Sequence, residues 1–207
     1  KKGITFGNYH SYDDFGLILS GKEIGSPEPK VNQVDVEGSD GVLDYTDYFG
    51  DVKFKNRSLS FIFSTLGQTP AQFMEKFTEV RNAIHVKMME IVLDDDPEFY
   101  YVGRVTVNQW KANRNLAEII IEVDAEPYKM ELHEKTVALP ATVMNLRKMV
   151  VPKVVVSGTV TVHKCDVHIE LKEGVHIVPE FELSEGENDF TITGDGSASL
   201  VFRRGCL

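Results

Sequence analysis

Apolar and polar residues alternate along most of the chain, as they do in β-strands that bury one face and expose the other. In the clearest stretch Ile119, Ile121 and Val123 share one side, while Glu118 and Glu122 lie on the opposite side. The same two-residue period recurs in the segments 15–19, 34–36 and 59–63. The pattern therefore predicts a mainly β protein.

One segment departs from this alternation and predicts an amphipathic helix over about residues 69–86. Its apolar residues recur at intervals of three and four and so form one stripe, made of Phe73, Phe77, Val80 and Ile84. Thr69 is a favoured N-cap, Pro70 suits the first helical position, and Gln72 completes a capping box. Because an apolar stripe must be buried, we expect the helix to cover one face of the sheet.

The segment after the helix predicts a β-hairpin with an aspartate-rich turn. Met89–Leu93 forms the first strand, Asp94–Pro97 the turn, and Phe99–Val107 the returning strand. Three adjacent aspartates also suggest a calcium or magnesium site, but an EF-hand loop needs alternating ligands and a distal glutamate. The turn is the favoured interpretation, because aspartate tolerates turn conformations and proline fixes φ.

A charge-rich segment around residues 125–140 predicts a domain boundary. It contains Pro127 and Pro140 and shows no sustained period, so the predicted domains are residues 1–131 and 132–207. The second domain is again rich in strands, and its Gly194–Gly196 segment predicts a tight hairpin. The predicted fold is an N-terminal β-sandwich or barrel domain with one amphipathic helix, followed by a small C-terminal β-sandwich.

Composition narrows the range of functions. The 207 residues include 22 Lys and Arg against 32 Asp and Glu, which gives a net charge of −10. This balance disfavours specific binding to nucleic acid, because phosphate contacts need a basic surface. No run approaches the 18 apolar residues of a membrane-spanning helix. The two cysteines, Cys165 and Cys206, do not make a disulfide framework.

The sequence contains few residue patterns that are typical of a catalytic or metal site. A metal site is suggested by His163, Cys165, His168 and His176, but their order matches no standard zinc spacing. Strand alternation also places His168 on the face opposite Cys165, so the favoured interpretation is a small buried cysteine beside exposed histidines. The chain has no G-x-S-x-G elbow, no G-x-G-x-x-G loop and no P-loop. We therefore expect no enzymatic activity, no cofactor and no metal.

The Gly38–Val52 segment is the main candidate for a partner surface. It is rich in glycine and aspartate, yet it carries apolar and aromatic side chains, among them Tyr45, Tyr48 and Phe49. Such loops often mark a surface that binds a partner. The alternative, equally weighted, is a lid that folds back over the chain's own sheet.

Several stretches, in the chain's own order, resemble the distal tail proteins of long-tailed bacteriophages and prophages, which are siphovirus-type tail components. They are GITFGNYHSYDDFGLIL, DGVLDYTDYFGDVKFKNRSLSFIF, TPAQFMEKFTEVRNAIH, IVLDDDPEFYYVGRVTV and AEIIIEVDAEPYK. The final EGENDFTITGDGSASLVFRRGCL resembles the terminal hairpin of that family. The combination and order of these pieces carry the resemblance, and none of them is a catalytic signature.

The resemblance implies a fold and a role. It implies an N-terminal β-sandwich or barrel with one helix and a C-terminal galectin-like β-sandwich. The N-terminal domains would form a homohexameric ring that joins the tail tube protein to the tail-tip or baseplate hub protein. DNA would pass through the lumen during ejection, and the C-terminal domain would hold a receptor-binding protein. Such a protein is made in the bacterial cytoplasm and resides in the virion tail.

Under this resemblance, two regions become candidate ring or tube contacts rather than sites of chemistry. The residues concerned are Tyr45, Tyr48, Phe49, Asp94, Asp95 and Asp96. The charge of the first domain also fits a ring around DNA. Residues 1–131 carry 14 basic and 22 acidic side chains. A lumen crossed by DNA should repel phosphate, and an excess of acidic side chains does so.

The alternative function is a carbohydrate-binding or receptor-binding module of a tail or baseplate. Sugar-binding modules usually present exposed aromatic rings, but residues 132–207 contain no Trp and no Tyr. Of the three phenylalanines there, Phe190 and Phe202 alternate with other apolar residues and are expected to face the core. The composition of the C-terminal domain therefore disfavours this alternative.

Overall fold

The computed structural model describes residues 2–48, 50–66, 69–113 and 116–207. Within these residues the chain divides into two compact units. The first contains the residues up to Asp96 together with Tyr101–Pro127, and the second contains Pro97–Tyr100 and Tyr128–Leu207. The expected division into domains 1–131 and 132–207 remains a prediction.

The first unit is built on an antiparallel sheet. The strands up to residue 125 are β1 (Ile4–Phe6), β2 (Tyr9–His10), β3 (Ile18–Ile24), β4 (Gln33–Asp35), β5 (Val42–Asp44), β6 (Arg57–Leu66), β7 (Met88–Leu93), β8 (Asp96–Asn113) and β9 (Leu116–Ala125). Seven of them lie side by side in the order β2-β1-β7-β8-β9-β6-β3. The other two, β4 and β5, pair with each other in a separate two-stranded sheet.

Helix α1 (Pro70–Ile84) forms where the apolar stripe predicts it. The capping box is present: the Thr69 hydroxyl accepts from the Gln72 backbone N–H, and the Thr69 N–H donates to the Gln72 side chain at 3.0 Å. The stripe is buried against sheet residues such as Phe61 and Ile119. The helix therefore covers one face of the sheet, and each of its buried side chains contributes about 1.5–3 kcal/mol.

The predicted hairpin after the helix is also present, but its turn is shorter than expected. Only Asp94 and Asp95 form the turn between β7 and β8. Asp96 and Pro97 already belong to β8. Two residues suffice to reverse the chain in a β-hairpin, so the proline is not needed in the turn.

The second unit contains the remaining strands. They are β10 (Lys129–Glu131), β11 (Lys135–Ala138), β12 (Ala141–Asn145), β13 (Lys153–Lys164), β14 (Val167–Ile177), β15 (Gly186–Phe202) and β16 (Gly205–Cys206), with one 3₁₀ turn at Pro179–Phe181. Strand β15 pairs with β12 through its first five residues and with β13 and β11 farther on. Phe181, Phe190 and Phe202 are buried in the core of this unit, as expected for the last two.

The tight hairpin predicted at Gly194–Gly196 does not form. Strand β15 continues through these residues, which pair with Gly158 and its neighbours on β13. A Cβ on Gly196 would lie 2.4 Å from the Ser157 carbonyl oxygen, and one on Gly194 would lie 2.8 Å from that of Thr159. The glycines therefore allow two bent strands to approach closely rather than reverse the chain.

The mainly β fold with one amphipathic helix is confirmed.

Candidate functional site

The candidate partner segment lies in a projecting β-hairpin, here called the arm and defined as residues 29–54. Its base is closed by a bridge between Pro29 and Phe54 and by a 2.7 Å hydrogen bond from the Lys30 N–H to the Lys53 carbonyl. Beyond the base, β4 and β5 pair in register from Gln33–Asp44 to Asp35–Val42. Of the returning segment, the structure describes residues 45–48 and 50–52.

Polar contacts within the arm hold its two sides together. The Asp44 carboxylate accepts from the Thr46 N–H at 2.9 Å and from the Gln33 amide at 3.1 Å. These hydrogen bonds, with Thr46 contributing most, lower the pKa of Asp44. The Asn32 N–H donates to the Thr46 hydroxyl at 3.1 Å. The arm is therefore an ordered hairpin and not an open loop.

The apolar side chains of the arm are exposed. They are Val31, Val34, Val36, Val42, Leu43, Tyr45 and Tyr48. Tyr48 has 70% of its surface exposed and meets Tyr45 edge to face, with ring centroids 5.8 Å apart. Phe49, the third predicted aromatic contact, lies outside the described residues. A lid over the chain's own sheet would bury these side chains, so their exposure favours the partner-surface interpretation.

The aspartate turn is bound to its own unit. One Asp94 oxygen accepts from the Gly3 N–H at 2.7 Å and lies 3.3 Å from His10 Nε2. Asp95 forms an ion pair with Lys22, and the hydrogen bond from that lysine lowers the pKa of Asp95. Asp96 lies in β8. The turn thus ties β7–β8 to β1 and β3, while its predicted contact with a partner remains a prediction.

The end of the helix carries a surface that the sequence analysis missed. Val86 follows the helix with φ of 60°, a left-handed conformation that is strained for a β-branched residue. Its N–H donates to the Val105 carbonyl at 2.7 Å, and its carbonyl accepts from the Arg104 guanidinium at 2.9 Å. The Lys87 ammonium donates to the Ala83 carbonyl at 2.6 Å. Helices commonly end with a glycine in this left-handed conformation. The sequence has no glycine directly after Ile84, and this was the available signal that another residue takes that conformation.

The cysteine and histidine cluster is arranged differently from the expectation. Cys165 is exposed in the turn between β13 and β14 with φ of 49°, so the prediction of a small buried cysteine is wrong. Strand alternation did not apply because residue 165 lies outside the strand. His163 and His168 face each other across the two strands, with ring centroids 6.0 Å apart. Among the described residues, no three His, Cys, Asp or Glu side chains are grouped to hold a metal ion.

The sheet face opposite the helix is polar. Strand β9 presents Glu118, Glu122 and Asp124 on this side, alternating with the buried apolar residues of its other face. Glu122 pairs in register with Ser60 on β6 and Thr106 on β8. This face therefore carries the carboxylates of β9, interrupted by Ile120 between Glu118 and Glu122. Hydroxyl side chains lie beside Glu122, and Arg104 lies beside Asp124.

The described part of the chain contains no helix with the length and apolar run that crossing a bilayer requires.

Comparisons with known proteins show the fold. No protein-family model matches the chain, and no curated protein matches it. Among solved structures, the crystal structure of the SPP1 Dit protein (gp 19.1) matches with a TM-score of 0.74 and 12% sequence identity. The match covers 100% of both chains. That protein is described as a paradigm of the hub adsorption apparatus in phages that infect Gram-positive bacteria. The chain therefore has the fold of a phage distal tail protein.

Proposed function

We propose that this chain is a structural protein of a phage or prophage tail, located in the virion at the distal end of the tail. The observation that carries this proposal is the full-length similarity in fold to the SPP1 Dit protein, which includes both units of the chain. The stretches that resemble distal tail proteins support it independently, because they come from the sequence alone.

The proposed assembly is a homohexameric ring that joins the tail tube protein to the tail-tip or hub protein. The polar sheet face with Glu118, Glu122 and Asp124 would line the lumen, where carboxylates repel the phosphates of passing DNA. The second unit would project outward and hold a receptor-binding protein. We propose no enzymatic activity and no cofactor.

The alternative of a carbohydrate-binding module is disfavoured by burial. Phe181, Phe190 and Phe202 are the aromatic residues of the chain beyond residue 131, and each is less than 5% exposed. None of them can therefore stack on a sugar. This leaves the structural role as the function that the fold supports best.

The test is the mass of the assembled protein, alone and with its neighbours. Light scattering or native mass spectrometry should find a species of six times the 23.3-kDa chain, and negative-stain images should show rings. Purified tube and hub proteins should bind opposite faces of the ring. A chain that forms no ring and binds neither protein would contradict the proposal.

A further inference from the structure

Two histidines lie directly opposite each other in the β13–β14 hairpin of the second unit. His163 of β13 pairs in register with His168 of β14, one pair before the residues that flank the turn at Cys165–Asp166. In a hairpin with a two-residue turn, the flanking pair is hydrogen-bonded, so the next pair is the non-hydrogen-bonded kind, in which side chains come closer. The two imidazole rings have centroids 6.0 Å apart, and their planes are inclined by 34°.

This distance suits two rings that share one metal ion. A zinc ion lies about 2.0–2.1 Å from an imidazole nitrogen, so two rings bound to one ion have centroids about 4.5–6.5 Å apart, depending on the angle at the metal. The observed 6.0 Å falls within this range. His168 is exposed, so its ring can rotate toward a shared ion without disturbing the core.

The other ring has a partner that orients it. His163 Nε2 lies 3.0 Å from the Thr193 hydroxyl oxygen on β15. When Nε2 carries the proton and donates to that oxygen, the lone pair of Nδ1 is available to a metal. Histidines that bind metals commonly donate their other ring N–H to an oxygen in this way. His163 is therefore held as a metal-binding histidine usually is.

The charges around the two histidines also suit a cation. Glu170 is exposed two residues beyond His168, on the same face of β14. Lys164 lies next to the turn on the opposite face, where its ammonium donates to the Glu182 carbonyl. The nearest carboxylate on the strand thus shares the face of the histidines, while the nearest ammonium does not.

From these observations we infer that His163 and His168 together bind one divalent transition-metal ion. Imidazole nitrogen suits Zn²⁺, Cu²⁺ and Ni²⁺, and Cu²⁺ is bound most tightly of these by a given site. Mg²⁺ and Ca²⁺ prefer oxygen ligands and are not expected to bind. In the part of the chain that the structure describes, no third His, Cys, Asp or Glu joins the pair, so water would complete the coordination. The inference does not depend on the proposed tail function.

The spacing of the histidines along the chain did not indicate this site. The sequence analysis looked for two ligand pairs in zinc-finger order, whereas the two ligands here come together by strand pairing. Strand β14 is the last in the sheet order β11-β15-β13-β14, so a shared ion would link this outer strand to its neighbour. Because the site exists only in the folded chain, binding would stabilise that state.

Calorimetric titration of the whole chain with Zn²⁺ tests the site. We expect His163→Ala and His168→Ala each to weaken binding about tenfold or more, because even partners that only orient a ligand are worth that much. His133→Ala and His176→Ala are the matched controls, since they remove histidines elsewhere in the second unit and should leave the affinity unchanged. Mg²⁺ in place of Zn²⁺ should give no binding.

Two further measurements identify the ligands. Zn²⁺ should raise the thermal unfolding midpoint of wild type and leave that of H163A/H168A unchanged, while the metal-free midpoints show that both chains are folded. Electron paramagnetic resonance of bound Cu²⁺ should show coupling to two imidazole nitrogens. Cys165→Ser is used for that spectrum, because the exposed thiol would react with Cu²⁺. This substitution should not change the affinity for Zn²⁺.

The outcomes separate the inference from its alternatives. Equal Zn²⁺ affinity of wild type and H163A/H168A would overturn it, and so would a wild-type unfolding midpoint that Zn²⁺ does not raise. If Cys165→Ser weakens binding as much as the loss of a histidine, the thiol is a ligand and the coordination by two histidines is wrong. None of these results bears on ring assembly, which all the variants should retain.

Discussion

At the scale of single residues, Glu131 and Arg204 form a partly buried ion pair in the second unit. Arg204 Nε lies 3.0 Å from each carboxylate oxygen of Glu131, and its terminal NH₂ contacts the same group. Lys135 lies 3.3 Å from the carboxylate. Burial would raise the pKa of Glu131, but the hydrogen bonds and charge of Arg204, aided by Lys135, lower it below its ordinary value of 4.5.

This pair predicts a loss of stability in acid. A carboxyl with a lowered pKa stabilises the folded state above its unfolded pKa, and that contribution is lost as the pH falls. We expect Glu131→Gln to reduce the free energy of unfolding by about 1–3 kcal/mol at pH 7. Between about pH 5 and pH 3 the variant should lose less stability than wild type. Denaturant titrations at several pH values provide the measurement.

Glu185→Gln is the matched control for this prediction. Glu185 pairs with Arg147 at 3.5 Å, and its side chain is 60% exposed. Exposed pairs contribute about 0–1 kcal/mol, so this variant should resemble wild type at all pH values. Equal pH dependence of wild type and Glu131→Gln would show that this partly buried pair does not matter for stability in acid.

At the scale of elements, the capping box of α1 gives a simple prediction. Thr69→Ala removes the hydroxyl that accepts from Gln72, and we expect it to lower the free energy of unfolding by about 1 kcal/mol. Thr78→Ala is the control, because Thr78 bonds to the Met74 carbonyl inside the helix and alanine is the better helix former. Urea unfolding that placed Thr69→Ala level with Thr78→Ala would contradict the importance of the cap.

The close approach of β13 and β15 gives a second prediction at the scale of elements. Gly196→Ala would place a Cβ 2.4 Å from a backbone oxygen that belongs to a paired strand and cannot move freely. We expect a loss of about 1–3 kcal/mol or more. Gly21→Ala in β3 meets only Ile62 side-chain atoms at 3.6 Å and beyond, so it should be tolerated. Thermal unfolding of the two variants distinguishes them, and equal midpoints would contradict this explanation of the glycine.

The same elements show which features a sequence can predict. Helix α1 was predictable because its stripe, its cap and Pro70 are local signals that agree with one another. The conformation of Gly194–Gly196 was not predictable, because two glycines are equally suited to a turn and to a place where another backbone approaches closely. The distinction depends on β13, which lies about 35 residues earlier in the chain. The surface at the end of α1 was missed for a similar reason, since the conformation of Val86 depends on its hydrogen bond to Val105 in β8.

At the scale of the whole molecule, the chain resembles the SPP1 Dit protein much more closely in fold than in sequence. The chain and the SPP1 Dit protein share 12% identity yet match over their full lengths. Two sequences this different can adopt one fold because many apolar residues satisfy the same pattern of buried positions.

The polar sheet face provides the last prediction, which rests on the proposed ring. If Glu118 and Glu122 line the lumen, reversing both to lysine would replace repulsion of DNA phosphates with attraction. We expect virions with E118K/E122K to eject DNA more slowly than wild type, and the difference to shrink as salt is raised, because salt screens these charges.

E170K/E173K makes the same change in net charge on the second unit, outside the proposed lumen, and is the control. Time courses of DNA release, triggered from purified virions with equal ring content, measure the effect. Release at the wild-type rate from E118K/E122K virions would mean that this face does not line the DNA path. Slowing by the control to the same extent would mean that net charge matters and not its place in the ring.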